Sequence, residues 1–236
     1  MLPPQPLLSD RYDRALLYAR SLHHRQIRKG SQHNPGYYGL PYFSHLLAVS
    51  SLVLEHQGSE TEAIAALLHD ALEDGPSHSD RPIDQIRADI TQDFGPTVLA
   101  LVEACSQSTD PQRDWYQRKQ DYIDSLAHKP FSALLVTTAD KLHNARCISR
   151  DYRLLGDGLW SRFSRGYDGT CWYYKAIAAA LQSVADLLPF PAPPPPSPDL
   201  SPADLSPADL ALAALDRRPA LQSLIHCLHQ EIQSWS

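Results

Sequence analysis

An all-α fold is predicted by three observations. Apolar residues recur at helical spacing along most of the chain, as in Tyr12, Ala15, Leu16, Ala19 and Leu22. No alternation of apolar and polar residues runs long enough for a strand. Glycine-proline pairs at Gly75-Pro76 and Gly95-Pro96 cut the chain into helix-length pieces.

The elements follow in order. Asp10 to Arg28 reads as a first helix, with Gly30 as its stop. Ser31 to Leu40 is a loop, and Pro41 opens a second helix through Glu55 whose apolar face is Leu46, Val49, Leu52 and Val53. A third helix runs from Thr61 to Glu73, with Ser59 or Thr61 as its cap and Glu62 in its first turn. Gly75-Pro76 ends it, and a polar loop leads to Asp80. Helices follow over Pro82 to Phe94, Thr97 to Cys105, Trp115 to His128 and Ser132 to about Ser149. Asp151 to Leu159 reads as a loop, and a last core helix runs from Gly169 to about Leu188. Pro189 to Pro198 is a semi-rigid polyproline spacer. The domain division is therefore 1–188, a linker over 189–205, and a helical extension over 206–236. A tandem repeat, Ser201 to Leu205 and Ser206 to Leu210, spans the junction of linker and extension, each copy with an N-cap serine followed by proline. Two roles compete for this amphipathic tail: docking back on the domain, or meeting a partner or a second copy in a homo-oligomer.

Composition excludes several classes. The chain has 236 residues, 43% hydrophobic and 20% charged, in the range of a soluble globular protein. A net charge of −6 argues against a surface for duplex nucleic acid, while leaving room for a local basic pocket that takes one small polyanion. The four cysteines are widely spaced with no C-x-x-C, so a reducing, cytoplasmic setting is expected. No run of 18 apolar residues offers a membrane span, and Met1-Leu2-Pro3-Pro4 lacks the pattern of a signal peptide.

The chemistry centres on Ala65 to Asp74, an apolar run that ends in His69, Asp70, Glu73 and Asp74. On a helix, His69 and Glu73 share one stripe and Asp70 and Asp74 the next. A solvated helix end is the plain alternative, but a second apolar run ends the same way at Asp140-Lys141-Leu142-His143-Asn144-Ala145-Arg146. His45 begins the second helix, where a lone histidine is ordinarily a core or capping residue. Joined to His69, Asp70 and Asp140, it completes a set of two imidazoles and two carboxylates. Such a mixed set suits Mn²⁺, Fe²⁺ or Zn²⁺ better than Ca²⁺. Glu73 and Asp74, one turn on, are placed to take a proton from water. Arg28 and Lys29 either complement a helix C-terminus or contact phosphate beside the metal.

The spaced pattern of His45, His69-Asp70 and Asp140 resembles the HD superfamily of metal-dependent phosphohydrolases. The longer strings Ile27 to Gly30, Pro41 to Val49, Ala65 to Asp74 and Ala139 to Arg146 resemble the hydrolase domain of RelA/SpoT homologues, and in particular the stand-alone small alarmone hydrolases. The resemblance covers roughly residues 10 to 188. It implies an HD-domain helical bundle to which the C-terminal helices are an addition. It also implies a pyrophosphohydrolase that removes the 3′-pyrophosphate of (p)ppGpp or (p)ppApp. His45, His69, Asp70 and Asp140 would then bind Mn²⁺, and Glu73 and Asp74 would be the catalytic acids. Arg28, Lys29 and Asn144 would contact the nucleotide, with Lys141 and Arg146 as phosphate neighbours.

The chain departs from that family where Gln32 to Leu40 intervenes before Pro41-Tyr42, bringing Tyr37 and Tyr38 near the presumed nucleotide pocket. Two further readings stand beside the first. The same site could act on another phosphate, such as the 2′-phosphate of NADPH or a pyrophosphorylated tRNA end in an antitoxin role. Alternatively, the tail could neutralise a toxin-like synthetase by contact alone.

Overall fold

The computed structural model describes residues 8–31, 38–107, 113–188 and 216–235. These form helices α1 (Asp10–Leu22), α2 (Phe43–Glu55), α3 (Glu60–Leu68), α4 (Gly75–His78), α5 (Ile83–Phe94), α6 (Pro96–Cys105), α7 (Trp115–Ser125), α8 (Phe131–Leu155), α9 (Gly166–Leu187) and α10 (Arg218–Gln233). Among the described residues the nearest thing to a strand is one antiparallel bridge, Ile27 to Pro41. The polyproline spacer, the tandem repeat, Tyr37 and most of the inserted loop lie outside the described residues; Tyr38 is fully exposed.

Two helices form the centre. α3 buries every residue from Glu62 to Leu68, and α8 buries every residue from Ala133 to Leu142. A helix apolar on all sides must be surrounded, and these two are. α2 lies against both, α1 and α6 pack on α3, and α10 packs on α8 and α9. A capping box starts α3: Ser59 accepts from the Glu62 N–H while the Glu62 carboxylate accepts from the Ser59 N–H at 2.7 Å.

The tail docks on its own domain. Leu221, Leu224, Ile225, Leu228, Ile232 and Trp235 are buried in the common core. Arg217 donates to Glu62 at 2.6 Å in a nearly dry ion pair and covers the Phe131 ring. Trp235 Nε1 donates to Ser149 Oγ at 2.8 Å.

Four expected boundaries move. The first helix stops at Leu22 instead of Arg28, because the chain beyond it pairs with the returning segment: Arg28 N–H donates to Leu40 O at 2.7 Å and Tyr42 N–H to Gln26 O at 2.9 Å. The third helix stops at Leu68 instead of Glu73. His69 Nδ1 donates to Ala66 O at 2.8 Å, competing for a carbonyl the helix would use, and Ala71 N–H turns back to Leu68 O in a tighter bond. Gly75-Pro76 starts the short α4, with proline at a position where its missing N–H costs nothing. α8 runs on through the expected loop to Leu155, where Gly156, at φ +56°, takes a left-handed turn that a side chain would strain.

Candidate metal centre and active site

Three helices bring four side chains to one point. α2 supplies His45 from its first turn, the end of α3 supplies His69 and Asp70, and the buried face of α8 supplies Asp140. His69 Nε2 lies 2.9 Å from Asp70 Oδ2 and 3.6 Å from Asp140 Oδ1. His45 Nε2 lies 3.2 Å from Asp140 Oδ1 and 3.8 Å from Asp70 Oδ2.

Close as they are, these atoms form no well-aligned hydrogen bond. Both Nε2 atoms are buried without a hydrogen-bond partner in acceptable geometry. Buried polar atoms left unsatisfied are costly, so atoms that converge without bonding mark a place for a ligand. The donor set fits a divalent metal ion: two imidazole nitrogens and carboxylate oxygens, with His45, His69 and Asp70 offering atoms within 4.8 Å of one another. The His69 tautomer is fixed for that purpose. Ala66 O can only accept, so Nδ1 carries a hydrogen, and Nε2 is the ring nitrogen left facing Asp70 and Asp140, where an ion would take the place of a proton.

The electrostatics divide the cluster. Burial pushes His45 down to about 4, so it is neutral. Burial also works against charge on His69, but the Asp70 and Asp140 carboxylates outweigh it and raise the imidazole well above its ordinary value. Desolvation opposes the charge of Asp70 and Asp140 too; His69 holds the first below the usual carboxylate range, and the Lys141 ammonium, with both histidines, holds the second.

The rim is built of pairs. Arg28 Nη2 donates to Asn144 Oδ1 at 2.6 Å, and Asn144 Nδ2 donates to Asp140 Oδ1 at 2.5 Å. Glu73 Oε1 accepts the Gln107 backbone N–H at 2.7 Å, and Asp74 Oδ2 accepts from Gln26 at 2.7 Å. Glu73 and Asp74 thus hold different partners, one after α6 and one after α1. Burial, then the nearby Asp70 charge, push the Glu73 carboxyl up to about 7.

Of the remaining sequence-predicted residues, one braces this arrangement from within the core and two stand apart from it. Lys141 is buried, its ammonium 2.6 Å from Asp140 Oδ2 and near the Tyr122 ring. Lys29 is exposed on the loop after α1. Arg146 is exposed two residues beyond Asn144, so it leaves α8 on another side, and it approaches Glu231 of α10 at 3.9 Å.

Several contributors escaped the sequence reading. The Tyr42 hydroxyl donates to Asp70 and its ring lies under Arg28. His143 Nδ1 lies 2.7 Å from His45 Nδ1. Lys119 donates to the Gln107 side chain at 2.8 Å and sits over the Tyr173 ring. His143 alone left a usable trace, being one turn after Asp140.

An all-α bundle in which two unbonded, buried imidazole nitrogens face two carboxylates defines a class of metal-centred proteins. Comparison with known proteins narrows it: the family model described as HD domain matches residues 15–164, and the chain belongs to that family. The chain is 32% identical over 136 residues to a mouse protein named guanosine-3′,5′-bis(diphosphate) 3′-pyrophosphohydrolase MESH1, covering 56% of this chain and 66% of that one. A Drosophila melanogaster protein of the same name is 31% identical over 140 residues, covering 58% and 69%. The chain therefore spans about two thirds of the length of these relatives. A solved structure described as a metazoan ortholog of SpoT that hydrolyzes ppGpp superposes with a TM-score of 0.59 and 27% identity, covering 77% of this chain and 90% of that one. Among the described residues no helix is long and apolar enough to cross a membrane.

Proposed function

We propose that the chain is a Mn²⁺-dependent pyrophosphohydrolase acting on 3′-pyrophosphorylated nucleotides of the ppGpp and ppApp kind in the cytoplasm. The observation that carries the proposal is the convergence of two unbonded buried imidazole nitrogens on Asp70 and Asp140. The likeness to proteins named as ppGpp hydrolases supports the substrate class.

His45, His69, Asp70 and Asp140 would hold the ion. When bound, the ion supplies neutralising charge for a phosphate and acidifies water within its reach. The protein's own groups do the rest. Glu73, with its proton affinity raised toward neutrality, is suited to take the proton of the attacking water. Asp74, braced by Gln26, orients that water from the other side. Arg28 and Asn144, which now bond to each other, turn to the nucleotide phosphates and sugar. Lys141 keeps Asp140 ionised as a ligand.

The test is product analysis with purified protein and Mn²⁺, offering ppGpp, ppApp and NADPH in parallel with an EDTA control. Pyrophosphate released from either alarmone, and lost with EDTA, is the expected result. Single phosphate released from NADPH alone would move the substrate assignment. No turnover of any, with metal bound, would refute this reading of the site.

A further inference from the structure

His45 and His69 present their Nε2 atoms to the same point, but their other ring nitrogens are held differently. His69 Nδ1 is tied to a backbone carbonyl. His45 does not copy that arrangement. It lies in the first turn of α2, and the carbonyl three residues back, Tyr42 O, accepts the His45 backbone N–H at 2.8 Å. Its Nδ1 meets a second imidazole instead, His143 Nδ1 at 2.7 Å, with ring centroids 4.8 Å apart.

A contact of that length between two nitrogens holds a single hydrogen. If His45 Nε2 gives its lone pair to a metal, the hydrogen of its ring sits on Nδ1 and is donated to His143 Nδ1. His143 then carries its own hydrogen on Nε2. The Cys147 sulfur, one helical turn on and 3.8 Å from either His143 ring nitrogen, stands beside that ring as a weak acceptor. One turn of α8 thus supplies both a carboxylate, Asp140, and the group that would orient a ligand from α2.

We propose that His143 is a positioning residue for the metal, acting through His45: it fixes the tautomer that presents Nε2 and thereby sets metal affinity. The proposal rests on the reading of His45 as a metal ligand. Partners of this kind are commonly worth about 10- to 100-fold in metal affinity.

Two substitutions separate hydrogen bonding from packing. His143→Phe keeps a ring and removes the acceptor; His143→Asn keeps an acceptor near the Nδ1 position and removes the ring. Titration of each full-length protein with Mn²⁺ alone, followed by calorimetry, reads the affinity without any turnover. His143→Phe is expected to weaken binding about 10- to 100-fold, with His143→Asn recovering most of the loss. Wild-type affinity in His143→Phe overturns the proposal, as does an equal loss in both variants, which would assign the effect to ring shape.

Nitrogen-15 NMR of the histidine rings in the wild-type protein with Zn²⁺ is independent of whether the variants fold. It should show hydrogen on His45 Nδ1 and on His143 Nε2, and the opposite pattern overturns the proposal. Failure of the underlying reading looks different. The wild type would then show no saturable Mn²⁺ binding, or His45→Ala would retain it.

Discussion

At the centre of the site, His45, His69, Asp70 and Asp140 converge and leave two imidazole nitrogens unbonded. At its rim, Arg28 and Asn144 bond to each other, Glu73 to Gln107, and Asp74 to Gln26. The contrast separates two kinds of preparation. The centre bears the cost of unsatisfied buried groups, which only a tightly held ligand offsets. The rim is satisfied as it stands, and a substrate must exchange its bonds one for another. Removing a central group should therefore end function, and removing a rim group should reduce it by a definable amount.

The largest effect is expected from the centre. His69→Ala should abolish both Mn²⁺ binding and turnover, because it deletes a ligand and leaves Asp70 and Asp140 facing each other without the imidazole between them. Turnover with undiminished metal binding in this variant would break the distinction between centre and rim.

Glu73→Gln is next. The amide can still accept the Gln107 N–H, so the geometry is kept while the base is lost. Activity should fall about 10²- to 10⁴-fold. Stability should move the other way, with a definite pH dependence. Burial raises the folded-state pKa of Glu73 from 4.5 to about 7, so its protonated form is the favoured one in the fold. That contribution is fully present below about pH 4.5 and is lost as pH rises through about 7. Glutamine cannot ionise, so the variant should match the wild type in melting temperature at pH 4.5 and exceed it at pH 8, where its gain in folding free energy is at most about 3 kcal/mol. Equal melting curves at pH 8 would show that Glu73 is not held in a desolvated position.

The division between centre and rim also marks what the sequence discloses. His69, Asp70 and Asp140 were legible because each follows an apolar run, while His45, at the start of α2, became legible only when joined to them. Tyr42, Gln26 and Lys119 were not, and His143 showed only its place one turn after Asp140, since their roles exist only across the fold: Tyr42 lies 28 residues from Asp70, and His143 lies 98 from His45. Helix existence was legible from periodicity. Helix ends at Leu22 and Leu68 were not, because a distant segment and a side chain took the backbone's hydrogen bonds there. The docking of α10 was equally hidden, since an amphipathic stripe does not name its partner.

That docking supplies a third region for the comparison. Arg217 and Glu62 are almost wholly buried, and Glu62 belongs to the cap of the helix that ends at His69. Arg217→Met should leave an uncompensated carboxylate and cost about 3–5 kcal/mol. The measurement is chemical denaturation, paired with turnover per folded molecule at low temperature. A loss of stability with unchanged turnover would make the tail a structural brace. Loss of turnover at full stability would extend the functional centre to the cap of α3.

The smallest effect is expected where the rim is most self-sufficient. Arg28→Gln keeps a hydrogen-bonding partner for Asn144 and stays near the Tyr42 ring, so the fold should be indifferent to it. What it loses is one charged hydrogen bond to a phosphate or sugar, about 1.5–3 kcal/mol. In a rim that trades bonds with the substrate, that loss falls on binding, so KM should rise about tenfold or somewhat more with kcat nearly unchanged. Metal affinity should hardly move, because Arg28 meets the cluster indirectly, through Asn144 and the Tyr42 ring. A fall in kcat with KM constant would mean that Arg28 acts in the transition state, and a fall in metal affinity would mean that the Arg28–Asn144–Asp140 chain is part of the centre.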